Sequence, residues 1–209
     1  MMDVTLLGTA ALAPIPTRSL ASAAMTASGH TVLFDCGEGT QVALRREHVS
    51  PMKIDVIALT HYHGDHTFGL PGLLQTMNVA KRTSPLLLTG PEGLAEALSP
   101  LLAAAGRMPY DIYLSEPGPE GLRLDKVFAG FPDGTLLRAF PTRHGVPSVA
   151  YRLELPRAGK FLPERALALG VPQKLWGVLQ SGETVVLDDG REIAPSDVLG
   201  EPRRGITAA

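Results

Sequence analysis

Three features of the sequence predict an α/β layered domain. The apolar run Ile54, Val56, Ile57, Ala58 and Leu59 reads as a buried strand. A helix to about Val79, a strand at 86–89 and an Ala/Leu-rich amphipathic helix over 92–105 follow it, the strand–helix–strand order of layered α/β folds. Polar donors gather where the first of these strands stops, with three histidines and an aspartate inside His61-Tyr62-His63-Gly64-Asp65-His66.

In chain order, residues 4–8 form a first strand, followed by a loop with Pro14, Pro16 and Arg18. Strands at 19–26 and 31–35 are joined by Ser28-Gly29-His30, which puts His30 at an exposed turn. Asp35-Cys36-Gly37-Glu38-Gly39 closes the second of them, and its two glycines allow close backbone approach. Thr40 is expected to cap a helix over 41–47. Beyond the histidine loop, residues 67–74 lead into a helix whose N-terminus faces the loop, and its partial positive charge favours a phosphate there. Short strands recur at 111–115, 122–128 and 135–140.

The spacing of the donors fits a strand-end metal site. Alternate side chains of an extended segment share a face, so His61 and His63 can grip one ion together. Gly64 lets the chain bend and frees Asp65 and His66 to point at a second ion. Zinc suits imidazole with carboxylate best, with manganese or iron as alternatives. Two ions about 3.5–4 Å apart can bridge a hydroxide and stabilise both oxygens of an in-line displacement at phosphorus.

A chain of 209 residues can bury one substantial core and does not require a second domain. Its 44% hydrophobic and 19% charged residues are ordinary for a globular protein, and no apolar run reaches membrane-spanning length. The N-terminus lacks the basic and long apolar regions of a signal peptide. A lone Cys36 excludes an intrachain disulfide framework and fits a reducing cytoplasm. The net charge of −2 argues mildly against general nucleic-acid binding, although cations can be concentrated in one patch.

Four stretches belong together: Leu6-Leu7-Gly8-Thr9 with Pro14-Ile15-Pro16-Thr17-Arg18-Ser19-Leu20, Leu33-Phe34-Asp35-Cys36-Gly37-Glu38-Gly39-Thr40-Gln41, residues 60–74, and residues 144–151. With them the chain resembles the metallo-β-lactamase superfamily, and within it the ribonuclease Z family of precursor-tRNA 3′ endonucleases. The resemblance implies an αββα sandwich with two zinc ions, a cytoplasmic homodimer, and cleavage of precursor tRNA by a metal-bound hydroxide. It makes His144, otherwise an ordinary loop histidine, the third histidine of the first ion beside His61 and His63. Asp65 and His66 would serve the second ion, with Asp65 also accepting or orienting the proton of the water. Asp35 would orient a ligand imidazole from beneath the loop, or else serve as a capping or turn aspartate. Ser148 would steady its loop or a substrate phosphate.

Over about 157–183 the layered pattern breaks at Gly159, Pro163, Gly170, Pro172 and Gly182, with a short helix near 164–169. The resemblance implies a projecting arm here on a single domain spanning 1–209. Gly170-Val171-Pro172 is present, but Gln173-Lys174-Leu175-Trp176 departs from the family's usual Gly-Pro pair. Trp176 would stack on a base or pack against an arm or dimer surface. A hairpin with an Asp189-Gly190 turn follows. The family pattern continues past Gly205 to a bridging aspartate and a final histidine. The sequence stops at Ala209, so the C-terminal part of the sandwich is expected to be missing. Two other readings remain beside the endonuclease: hydrolysis of a different phosphodiester or ester, and a catalytically incomplete fragment that binds metal or RNA.

Overall fold

The computed structural model describes residues 2–208, which divide into two compact units, 2–154 with 207–208 and 155–206. The first unit holds a six-stranded sheet in the order β1-β2-β3-β4-β5-β6. Its strands are β1 (Met2–Gly8), β2 (Ser22–Ala27), β3 (His30–Phe34), β4 (Ile54–Ala58), β5 (Leu86–Thr89) and β6 (Ile112–Ser115). The hairpin-linked strands β1, β2 and β3 pair antiparallel, whereas β3 to β6 run parallel. Parallel neighbours need crossovers, and helices supply them. These are α1 (Thr40–Arg46) before β4, the single turn α2 (Gly64–Thr67) and α3 (Leu70–Val79) before β5, and α4 (Leu94–Ala105) before β6.

Successive side chains on each central strand go to different layers, as the pleat requires. Leu33, Ile57, Leu86 and Leu88 join Leu44, Leu73, Leu74 and Leu98 of the helices in one core. Val32, Phe34, Val56, Ala58 and Leu87 face the other way, toward Leu137, Tyr151 and Leu153 of a second sheet. Because both faces are covered, β3 to β5 read as nearly continuous apolar runs. Burying each such side chain contributes about 1.5–3 kcal/mol. Among the described residues, helices thus cover one face of the first sheet and a second sheet covers the other.

The second sheet contains β7 (Leu122–Arg123), β8 (Leu136–Pro141) and β9 (Val149–Arg157), in antiparallel register with Leu137 opposite Leu153 and Ala139 opposite Tyr151. The strand expected over 122–128 stops after two residues and gives way to α5 (Leu124–Val127). Leu124, Val127 and Phe128 have helical spacing, and Leu124 and Phe128 are buried between the sheets, so the period of 3.6 prevails. His30 also differs from the exposed turn residue expected. Its Nδ1 pairs with Asp55 Oδ2 at 2.8 Å and its ring lies 4.8 Å from that of Phe131.

Residues 155–206 have their own small core of Ala166, Val171, Leu179, Val185, Leu187, Ile193 and Val198. Around it lie α6 (Pro163–Ala168), α7 (Trp176–Gln180), the hairpin β10 (Val185–Val186) with β11 (Glu192–Ile193), and α8 (Pro195–Val198). The strand β12 (Arg203–Ala208) then joins the second sheet beside β9. Residues 157–183 lie within this unit and include α6 and α7. Trp176 packs there on Phe161, with ring centroids 5.2 Å apart, and donates its indole N–H to the Val171 carbonyl. No helix among the described residues is long and apolar enough to cross a membrane.

Candidate metal centre

The carboxyl end of β4 delivers the histidine loop, and two backbone bonds stitch that loop to the end of β3. Cys36 N–H donates to the His66 carbonyl and Gly69 N–H donates to the Cys36 carbonyl, both at 2.8 Å. Such contact leaves no room for side chains. A Cβ on Gly37 would collide with the Asp65 carbonyl oxygen and with Leu20, and one on Gly69 would collide with the Gly37 carbonyl. Gly37→Ala is therefore expected to lower stability by about 1–3 kcal/mol, as overpacking does, and to loosen metal binding. Thermal unfolding with and without zinc checks this; an unchanged melting temperature would contradict the close approach.

His61, His63 and His144 converge, with one potential ligand atom from each lying within 4.8 Å of the others. His61 is buried, whereas His63 and His144 are exposed. His144 Nε2 lies 3.4 Å from His63 Nδ1. Tetrahedral zinc with Zn–N bonds of about 2.0–2.1 Å separates its donors by about 3.3–3.4 Å, so this pair is already spaced as one edge of such a site. His144 comes from loop 142–148, which Ser148 ties shut. The Ser148 hydroxyl bonds to Thr142 Oγ1 at 2.7 Å, and Thr142 N–H donates to the Ser148 carbonyl. Ser148 lines a neighbouring cavity with Pro91, Glu116 and Pro147 rather than the one lined by the histidines.

Asp35 organises the cluster from below. It is buried at 6% exposure and has φ of +55°, a left-handed conformation that aspartate tolerates better than most residues. Its Oδ1 accepts the Thr60 N–H at 2.7 Å, and its Oδ2 takes His66 Nδ1 at 2.7 Å. Thr60 Oγ1 lies 2.9 Å from Asp35 Oδ2 and 3.0 Å from His61 Nδ1. A carboxylate only accepts, so the single hydroxyl proton of Thr60 goes to Asp35, and His61 Nδ1–H must donate to Thr60. One carboxylate thereby sets two tautomers. Both His61 and His66 keep the proton on Nδ1 and direct an Nε2 lone pair outward, the state a metal ligand needs.

The electrostatics sort the donors. Burial, helped by the neighbouring His66, holds the His61 pKa below the ordinary imidazole value. The hydrogen bond that His66 donates to the Asp35 carboxylate raises the pKa of His66. Asp65 is held low chiefly by the Leu12 N–H, which donates to Oδ2 at 3.0 Å. His66 Nε2 and Asp65 Oδ2 stand 3.7 Å apart. Cys36 lies fully buried, and burial pushes its thiol up to about 12, which keeps it a neutral packing residue. Thr60, Leu12 and Phe68 were not singled out in the sequence. Only the position of Thr60, between an apolar strand and the first histidine, could have signalled a role.

Loops at the strand ends of two packed sheets that bring three imidazoles together over a buried aspartate define the class. The chain belongs to the metallo-β-lactamase superfamily, whose family model matches residues 22–159. Ribonuclease Z of Alkaliphilus oremlandii is 40% identical over 99% of this chain and 68% of the relative. That of Agathobacter rectalis is 40% identical over 99% of this chain and 66% of the relative. A crystal structure of the short form of human tRNase Z superposes with a TM-score of 0.57 and 30% identity, over 74% of this chain and 64% of that one. Within the superfamily the chain is a member of the ribonuclease Z family, and it spans about two thirds of the length of these curated relatives.

Proposed function

We propose that the protein is a metal-dependent endonuclease that removes the 3′ trailer from precursor tRNA, acting in the cytoplasm as a homodimer. The observation that carries this reading is the convergence of His61, His63 and His144 in a chain of the ribonuclease Z family. An all-nitrogen donor set with one edge near 3.4 Å fits zinc well, with manganese or iron as alternatives. These three residues would hold one ion. Asp65 and His66 would contribute to a second. Bound divalent ions would polarise the phosphoryl oxygens and make water more acidic.

The chain's own groups do the rest. Asp65 is a carboxylate at neutral pH, held further below its ordinary range by the Leu12 N–H on Oδ2, and its other oxygen can accept a hydrogen bond from the attacking water. The water oxygen bonds to phosphorus as the P–O3′ bond breaks, one water proton passing to the Asp65 carboxylate and the departing O3′ taking up a proton from solvent. The products are a tRNA 3′-hydroxyl and a 5′-phosphorylated trailer. Incubation of the zinc-loaded protein with precursor tRNA should release that trailer, and an intact precursor would contradict the reading.

One observation also supports a narrower role, as a protein that binds metal or RNA without cutting. Among the described residues, His61, His63 and His144 form the one group of three converging donors, whereas Asp65 and His66 make two. Metal content separates the readings. Two tightly held ions per chain favour the endonuclease, and one or none favours the binding protein.

A further inference from the structure

The mouth of the histidine cavity exposes two large apolar side chains that the metal chemistry does not use. Phe68, at the end of α2, is 66% exposed and Leu12 is 90% exposed. Both line the same open cavity of about 660 Å³ as His61, His63 and His144. Lone exposed apolar residues are common on protein surfaces, but these two are held in place by the site itself. Leu12 has φ of +66°, an unfavourable conformation for a bulky residue, and its N–H is bonded to Asp65. The Phe68 ring lies against Gly64 of the histidine loop, where a Cβ would overlap three ring carbons.

Charge selects what can sit there. The described residues lining this cavity include Glu38 and neither lysine nor arginine, so away from the histidines no side chain of the lining pairs with a phosphate. An unpaired base presents an apolar face without bringing charge, and aromatic side chains bind such faces with little regard to sequence. We infer that Phe68, supported by Leu12, is a stacking platform for the unpaired nucleobase next to the scissile phosphate. The inference rests on the endonuclease reading and adds a substrate-contacting group to it. It also assigns the two sides of the cavity different tasks, with the imidazoles on the phosphate side and Phe68 with Leu12 on the base side.

The test uses precursor tRNA carrying 2-aminopurine at the nucleotide 5′ to the cut, titrated with zinc-loaded and metal-free protein. The parent should change the fluorescence of this base on binding. Phe68→Ala should weaken RNA binding by about 5- to 150-fold, the range measured for loss of one stacked base, and abolish the fluorescence change. Phe68→Tyr should retain both. Phe68→Leu keeps an apolar side chain over Gly64 but cannot stack, so it should behave like the alanine variant and carries the test if that variant fails to fold. If Phe68→Ala binds as the parent does, or Phe68→Leu matches Phe68→Tyr, the platform is overturned while the endonuclease reading stands. If the parent itself neither binds nor trims precursor tRNA, the endonuclease reading falls and takes the platform with it.

Discussion

His63→Ala should strip the metal from the protein and abolish trimming of precursor tRNA while leaving the fold intact. His63 is exposed, so its truncation removes no core packing. What it removes is one of three converging nitrogens, including one end of the 3.4 Å edge with His144. The loss in metal affinity should exceed the roughly 10- to 100-fold typical of losing an outer partner of a metal ligand. Metal analysis after dialysis and circular dichroism of the same sample decide the matter. Full metal content in the variant would remove His63 from the site.

Asp35→Asn is the second large effect, and a more selective one. Asparagine tolerates the left-handed backbone at 35 and can still accept the Thr60 N–H, so stability should change little. Its amide nitrogen, however, would face His66 Nδ1 as a donor. His66 would then accept at Nδ1 and carry its proton on Nε2, which blocks that nitrogen as a ligand. Metal affinity should fall about 10- to 100-fold with near-parental unfolding. Zinc titration by calorimetry reads the first and thermal denaturation the second. Equal zinc affinity in variant and parent would show that Asp35 serves only as a turn residue.

The reach of the sequence can be judged from the same residues. His61, His63, Asp65 and His66 were legible because they are contiguous and sit where an apolar run stops. His144, 81 positions beyond His63, has no local signal, and only the family resemblance pointed to it. The bond that Thr60 donates to Asp35 was invisible because it depends on how β3 and β4 align in register, which no local pattern specifies. Capping was misassigned for a related reason. Gly39 takes the left-handed N-cap position of α1 with φ of +84°, and the Thr40 hydroxyl turns back to the Gly37 carbonyl instead. At 122–128 alternation and helical spacing coexist, and burial of Leu124 and Phe128 between two sheets selects the helix. The exposed Leu12 and Phe68 carry no pattern at all, since their meaning lies in the cavity they share.

The most direct measurement of the metal assignment is X-ray absorption spectroscopy on the zinc-loaded protein. The spectrum should show a nitrogen/oxygen shell at about 2.0–2.1 Å with the multiple scattering of three imidazoles. A sulfur shell near about 2.3 Å, which would bring in Cys36, or a spectrum lacking imidazole scattering, would contradict a centre built on His61, His63 and His144.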